Sequence, residues 1–146
     1  MTAPDYEARC RASFAKQRFM DTLGAQLVTV RPGEAVIELP FSSQLTQQDG
    51  FLHAGAITSI MDSACGYAAL SLMPEGSAVL SVEFKVNLMK PAAGSMFRAS
   101  GKVLKSGKTL SVCTGTVEAQ QDNKWSVIAI MQATKIAITD QDKLRD

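Results

Sequence analysis

A single carboxylate interrupts the most apolar stretch of this sequence. Residues 54–74 contain one charged side chain, Asp62, and the only histidine of the chain, His53, comes directly before them. Burying an unpaired carboxylate is costly, so Asp62 needs either a partner or a function. One interpretation is a helix carboxylate that a nearby serine or threonine satisfies, or that faces solvent through a gap. The other is a general base or nucleophile in a partly dry cleft.

The segment that begins at His53 also offers a site for negative charge. The first turn of a helix exposes backbone N–H groups, and the helix dipole adds to their attraction for anions. In the sequence HAGA, the small residues Ala54, Gly55 and Ala56 would let a carbonyl group approach as its oxygen becomes negative. His53 is then either a cap with a structural hydrogen bond or a part of this carbonyl site. A Ser-His-Asp triad is not expected, because the chain has no G-x-S-x-G sequence.

The spacing between these two groups predicts a dimer. Gly55 and Asp62 are seven residues apart, which is about 10 Å along a helix at 1.5 Å per residue. One carboxylate side chain cannot span that distance. If the helix start binds a carbonyl group that Asp62 attacks, the two groups must come from different chains. Two antiparallel helices related by a two-fold axis would then form two equivalent sites.

The elements that must position these residues follow from hydrophobic periodicity and turn residues. Residues 1–22 are expected to hold a short amphipathic helix over 3–22. Its apolar side chains at helical spacing are Tyr6, Cys10, Phe14 and Phe19. The further predicted elements are a hairpin over 25–41 that turns at Pro32-Gly33, a loop over 42–50, a central helix over 54–74, a strand over 77–91, two strands around a Ser106-Gly107 turn, a last strand over 124–138 and a flexible tail over 138–146.

This order of elements predicts an α+β fold. Strands that follow one another through tight turns favour an antiparallel sheet. A helix that is apolar nearly all round must be covered nearly all round. A single sheet wrapped around the central helix satisfies both demands. The sequence contains no internal repeat or linker, so residues 1–146 are expected to form one domain.

Composition and charge exclude several classes of function. The chain has 15 basic and 14 acidic residues, and no basic stripe predicts a nucleic-acid partner. The polar residues within 55–73 argue against a membrane helix, and the N-terminus does not have the pattern of a signal peptide. The three cysteines, Cys10, Cys65 and Cys113, match neither a disulfide framework nor a zinc site. A cytoplasmic location is expected, without a metal or redox cofactor.

The residues around Asp62 resemble a known family. The pattern Q-x-x-G-x-x-H-x-G, then Asp nine residues after the histidine, then LSVEFKVNLMKPAAG, is similar to hotdog-fold acyl-CoA thioesterases of the PaaI type, in the 4-hydroxybenzoyl-CoA thioesterase superfamily. The similarity runs from about Leu27 to Ile136. It implies a sheet wrapped around the long helix, an acyl-CoA substrate, and homodimers or homotetramers with the site between subunits.

The resemblance also implies a role for individual residues. Asp62 matches the catalytic carboxylate, a general base or nucleophile, and His53 matches a histidine beside the thioester carbonyl. The backbone around Ala54 and Gly55 matches the oxyanion-binding helix start. Gln47 matches a loop Asn or Gln that orients the nucleophilic water or the substrate. Ser81 matches a Ser or Thr that, in some members, helps to position water opposite the carboxylate.

Two positions depart from the family pattern. Many relatives have Asn where this chain has Gln47, and the longer side chain would reorganise the water site. The usual His-Gly-Gly is His-Ala-Gly here, and the methyl group of Ala54 would either narrow the approach to the thioester or demand a stricter backbone conformation.

The coenzyme A and acyl ends of a substrate have weaker candidates. Basic and turn residues that would meet phosphates are Lys90, Lys105, Ser106, Gly107 and Lys108, although a cationic turn is often simply solvated. Residues that would line an acyl pocket, or simply pack in the core, are Tyr67, Leu70 and Met73.

The sequence therefore predicts hydrolysis of an acyl-CoA to a free acid and coenzyme A. One alternative is a hotdog hydratase or dehydratase that acts on acyl thioesters. The other is a module that binds acyl-CoA without catalysis, for which Ala54 is the best argument.

Overall fold

Six antiparallel strands form one sheet around a single long helix in the computed structural model, which describes residues 5–139. The helices are α1 (Tyr6–Lys16), α2 (Arg18–Leu23) and α3 (Ala54–Leu70), with a 3₁₀ turn at Ser43–Leu45. The strands are β1 (Gln26–Arg31), β2 (Glu34–Pro40), β3 (Ala78–Leu88), β4 (Met96–Ser106), β5 (Leu110–Gln121) and β6 (Lys124–Ile138). Their order in the sheet is β1-β2-β4-β5-β6-β3. The predicted α+β fold is confirmed.

The central helix lies directly against the sheet. Twelve of the 17 residues of α3 are buried, which explains why nearly its whole circumference is apolar. Glycines in the sheet permit the close approach. A Cβ atom at Gly101 would lie 2.4 Å from the backbone of Ala64, and one at Gly115 would lie 2.8 Å from the side chain of Met61.

The turn predicted at Pro32-Gly33 lies between β1 and β2, and the one predicted at Ser106-Gly107 lies at the end of β4; a further tight turn joins β5 to β6. Gly33 has φ +77°, the left-handed value that the third position of a type II turn requires after proline. Asp122 and Asn123 form the two-residue turn between β5 and β6, with φ values of 52° and 60°. Both residues tolerate this conformation, which suits a tight hairpin.

The bounds of the N-terminal and central helices differ from the sequence prediction. The N-terminal helix is broken at Gln17, whose ψ of 90° is not helical. The break changes the phase of the pattern, so Phe19 is 55% exposed while Met20 is buried. The central helix ends at Leu70 rather than at residue 74: residues 71–73 turn out of the helix before Pro74, which has no N–H with which to continue it. Strand β6 includes Ile138; the rest of the predicted tail, 140–146, and residues 3–4 of the predicted first helix lie outside the described residues.

Among the described residues, no helix combines the length and the apolar character needed to cross a bilayer.

Candidate active site

Asp62 lies on the wall of a cavity of about 500 Å³ between α1, α3 and the start of β3. Helix α1 is held over this cavity by Arg9, whose guanidinium donates hydrogen bonds of 2.7–2.8 Å to the main-chain oxygens of Leu70, Met73 and Pro74. These oxygens lie at the C-terminal end of α3, where a cation is favoured. The N-terminal helix is therefore one wall of the candidate site.

Asp62 is not alone, because Ser81 and Lys135 reach it from two strands. The Ser81 hydroxyl donates a 2.8 Å hydrogen bond to Oδ1 of Asp62. The ammonium group of Lys135 donates to the same Oδ1, to the main-chain oxygen of Asp62 at 2.9 Å and to Oγ of Ser81 at 2.7 Å. The side chain of Lys135 is 1% exposed and that of Asp62 is 29% exposed. The carboxylate thus has a buried cation behind it and open space in front.

Sequence reasoning missed Lys135. The inward positions of β6 before it, Met131 and Ala133, are buried and apolar, and Lys135 occupies the next position of the same alternation. A lysine at an inward position of an apolar strand is a readable signal, since lysine is almost never fully buried without a partner.

Ser81 reaches the site because β3 contains a bulge. Ser81 pairs with Lys135 and Glu83 pairs with Thr134, so Val82 is an extra residue in the ladder. Side chains alternate along a strand, and one extra residue reverses which face the following side chains occupy. The bulge therefore puts Ser81 on the same face of the sheet as Phe84, the face toward α3.

His53 caps α3. It is the residue before the helix, and its Nδ1 accepts a hydrogen bond of 2.7 Å from the N–H of Gly55. A backbone N–H can only donate, so Nδ1 carries no proton and the proton of the neutral ring is on Nε2. The structural interpretation of His53 as a cap is thus observed, and Nε2–H remains available as a donor.

The cap changes which backbone groups are available to a substrate. The N–H of Gly55 is used by His53, and the N–H groups of Ala56 and Ile57 both donate to the main-chain oxygen of His53. Among the described residues, the N–H of Ala54 has no such partner. Of the two residues expected to bind an oxyanion, Ala54 offers a free donor and Gly55 does not.

Gln47 lies near the helix start but not near Asp62. It lines a second cavity, of about 390 Å³, with Ala54 and Lys90. Its side-chain oxygen accepts hydrogen bonds from the N–H groups of Asp49 and Phe51, so it stabilises its own loop. To orient a water molecule with this oxygen, Gln47 would have to give up a hydrogen bond to the N–H of Asp49 or of Phe51.

The residues predicted to act together thus lie in two separate places. The cavity with Asp62 and Ser81 and the cavity with Gln47, Ala54 and Lys90 share no lining residue. Within one chain, the carboxylate and the helix start do not form a single site.

The candidate phosphate-binding residues are not brought together either. The N–H of Lys90 donates to Ile128, near the start of β6, whereas the turn of residues 105–108 lies near Ala137, at its end. These positions on β6 are about 30 Å apart at 3.3 Å per residue. One chain therefore cannot place Lys90 and this turn on the same phosphate group.

The acyl-pocket candidates have different surroundings. Tyr67 and Leu70 line the cavity of Asp62, whereas Met73 is buried and does not. The ring of Phe14 packs edge-on against Tyr67, and the Tyr67 hydroxyl is 3.5 Å from that of Ser13. Burial raises the pKa of Tyr67, so its hydroxyl is neutral at physiological pH.

The cysteines offer no reactive thiolate. All three are buried and free. Burial raises the pKa of Cys10 and of Cys113 to about 11 and that of Cys65 to about 12, so the thiols stay protonated. Within residues 5–139, no cluster of three His, Cys, Asp or Glu side chains could hold a metal ion.

The fold agrees with the family that the sequence resembles. The model of the Thioesterase superfamily matches residues 49–126, more than half of the chain, including His53 and Asp62. The chain belongs to this superfamily, and its fold is the hotdog fold of the PaaI type.

Individual relatives support this assignment. A Thioesterase family protein from Silicibacter pomeroyi is 50% identical, with a TM-score of 0.90 over 91% of this chain and 98% of that one. PaaI of E. coli is 19% identical, with a TM-score of 0.83 over 94% of this chain and 96% of that one.

Two curated relatives are similar over part of the chain. A Saccharolobus solfataricus protein, whose name proposes an esterase, is 34% identical over 62% of this chain, and this chain covers 64% of its length. The 1,4-dihydroxy-2-naphthoyl-CoA hydrolase of Listeria monocytogenes is 24% identical over 63% of this chain and 75% of that protein.

Proposed function

We propose that this protein is a homo-oligomeric thioesterase that hydrolyses an acyl-CoA to a free carboxylic acid and coenzyme A. The observation that carries the proposal is Asp62, a carboxylate that Ser81 and Lys135 hold on the wall of a cavity. Membership of the Thioesterase superfamily supports the reaction. The Listeria monocytogenes relative, by its name, acts on a coenzyme A thioester, which supports the substrate class.

Asp62 would supply the attacking group. Its carboxylate takes a proton from a water molecule whose oxygen bonds to the thioester carbon. The carbon–sulfur bond then breaks, and the proton passes to the sulfur of the leaving coenzyme A. Alternatively, a carboxylate oxygen attacks the thioester carbon itself, and water hydrolyses the resulting anhydride. In a single turnover in ¹⁸O-labelled water, label in Asp62 would identify the second route, because water that attacks the aspartyl carbon of the anhydride leaves its oxygen there.

The start of α3 would stabilise the oxyanion. Among residues 5–139, two donors there have no hydrogen-bond partner: the N–H of Ala54 and Nε2–H of His53, whose tautomer is set by the bond from Gly55. Preorganised donors of this kind stabilise the charge that develops on the carbonyl oxygen. The methyl group of Ala54 sits beside one of these donors, which restricts how a thioester can enter.

The complete site would lie between two chains. In one chain Asp62 and Ala54 line different cavities, so each cavity supplies half of the required groups. A two-fold arrangement with antiparallel α3 helices brings Asp62 of one chain to the helix start of its partner, and forms two sites.

The open edge of the sheet offers a surface for this association. Phe84 and Leu88 of β3 pair with Ala133 and Ala129, which are buried under α3, so all four side chains share the inner face. Phe84 and Leu88 are nevertheless 46% and 53% exposed. Unpaired edge strands with apolar side chains are templates for pairing with another chain. A second copy that adds its own β3 would continue the sheet and cover them.

Coenzyme A would lie across both chains. Lys90 lines the same cavity as Ala54, whereas the turn of residues 105–108 lies toward the end of β6 that carries Lys135. Two chains with antiparallel helices place Lys90 of one near the cationic turn of the other. Together they would bind the phosphates.

The test is release of free thiol from a panel of short, long and aromatic acyl-CoAs by the wild type and by Asp62→Asn. We expect turnover that falls by about 10²-fold or more on substitution, since it removes the base. Turnover that is indifferent to Asp62→Asn would exclude Asp62. Loss of the conjugated enone of crotonyl-CoA without thiol release would identify a hydratase, and tight binding without turnover would identify a binding module.

A further inference from the structure

All three side-chain N–H groups of Lys135 donate hydrogen bonds within the candidate site. Its ammonium group has three N–H bonds, and three acceptors surround it: Oδ1 of Asp62, the main-chain oxygen of Asp62 and Oγ of Ser81. These acceptors come from α3 and β3, while the lysine comes from β6. The ammonium group thus joins three elements of the fold at one point.

We infer that Lys135 is a positioning residue that fixes Asp62 so that Oδ2 is the oxygen acting on the substrate. This inference rests on the proposed function of Asp62. Oδ1 accepts hydrogen bonds from both Lys135 and Ser81. Among the described residues, Oδ2 has no hydrogen-bond partner. The carboxylate therefore cannot rotate to exchange its oxygens without breaking two bonds.

The same contacts set the direction of the serine hydroxyl. Oγ of Ser81 accepts from Lys135, so its single hydrogen is directed to Asp62. One lone pair on Oγ remains to accept a hydrogen bond from water. Lys135 thereby leaves one open acceptor on Ser81 and one on Asp62, which together can hold a single water molecule.

Lys135 is not itself a base or a nucleophile in this arrangement. An ammonium group with all three hydrogens engaged has no lone pair to offer, and its side chain is 1% exposed. A buried ammonium group is costly unless it is paired, and removing one partner of a buried pair leaves the other uncompensated. Its effect on the reaction must therefore pass through Asp62 and Ser81.

The test is a double-mutant cycle on kcat with Lys135→Met and Asp62→Asn. Lys135→Met keeps the length of the side chain but removes the charge and the donors. We expect kcat to fall by about 10²-fold, as it does when a reacting group is misplaced, with KM unchanged. The double variant should be no slower than Asp62→Asn alone, because the water that Ser81 helps to hold reacts only when the Asp62 carboxylate takes its proton. Lys124→Met, at an exposed position on the same strand, should keep wild-type kcat.

Several outcomes would overturn the inference. Near-normal kcat in Lys135→Met would do so, as would losses that multiply in the double variant. If Lys135→Met does not fold, Lys135→Gln carries the same test, because its shorter amide side chain lacks the charge and cannot make all three hydrogen bonds. Wild-type turnover by Asp62→Asn would overturn the proposed function, and this inference with it. Loss in Asp62→Asn but not in the lysine variants would overturn this inference alone.

Discussion

Gly55 and His53 fix each other at the start of α3. The N–H of Gly55 donates to Nδ1 of His53, and a Cβ atom on residue 55 would lie 2.9 Å from that same Nδ1. The contact therefore requires glycine for a reason of space rather than of backbone conformation.

Gly55→Ala should release the imidazole ring. The added methyl group displaces Nδ1, so the preference for the Nε2–H tautomer is lost and kcat falls, by up to the 10²–10³-fold that loss of an oxyanion donor costs. His53 is the only histidine, so its ¹⁵N NMR signals report the tautomer without assignment. Gly66→Ala is a control for the spectrum, because a Cβ there meets nothing within 4 Å. An unchanged spectrum in Gly55→Ala would contradict the cap.

Mixed dimers should reveal whether the site is shared. A dimer of one Asp62→Asn chain and one His53→Ala chain has one fully intact site if Asp62 works with the partner's helix start. Random exchange of subunits should then restore about one quarter of wild-type activity, since half of the dimers are mixed and each has one intact site of two. Mixing Asp62→Asn with Ser81→Ala should restore nothing, because both residues belong to the same half. Equal recovery in both mixtures would contradict a shared site.

Phe84→Glu should separate the subunits. The side chain is on the inner face of the edge strand, where the proposed partner would cover it, and burying an unpaired charge there is costly. Light scattering should show monomers, and thiol release should be lost with the dimer. Val28→Glu, at an exposed position on β1, should leave the mass unchanged. A stable dimer of Phe84→Glu would locate the interface elsewhere.

The buried thiols should make the protein less stable in alkali. Burial raises the pKa of all three cysteines from 9.0 to about 11 or 12. Above pH 9 the unfolded chain releases thiol protons that the folded chain retains, so the free energy of unfolding falls as pH rises toward 12. Urea titrations from pH 7 to 11 measure this slope. Cys65→Ala should flatten it, and an identical slope would show that this thiol does not contribute.

Arg9→Met should loosen α1 from the central helix. Three main-chain oxygens lose a charged donor, and the free energy of unfolding should fall by about 1–3 kcal/mol. Because α1 is a wall of the Asp62 cavity, KM should rise more than kcat falls. Arg18→Met, which is exposed, is the matched control in urea denaturation. Equal stability of the two variants would show that the Arg9 contacts do not hold the helix.

Local patterns in the sequence predicted the fold and part of the site. Asp62 stands out because helical periodicity is regular around it, and the turn at Gly33 follows from its residue types. Phe19 was misplaced because one non-helical residue, Gln17, changes the phase of the pattern. Lys135 is 73 residues from Asp62, and only the packing of α3 against β6 brings them together. The separation of Asp62 from the helix start was predicted from the seven residues between Gly55 and Asp62. In the structure, Asp62 and Ala54 line separate cavities.

The extra residue in β3 constrains how this chain can diverge. Before Val82, the strand directs Ser81 to Asp62 and Lys135 of its own chain. After Val82, it exposes the apolar side chains of Phe84 and Leu88 at the open edge of the sheet. Inserting or deleting one residue here would turn either Ser81 or the side chains of Phe84 and Leu88 to the other face of the sheet, although the backbone of β3 could still pair with β6. Descendants of this sequence can therefore change β3 by substitution but not by a change in its length.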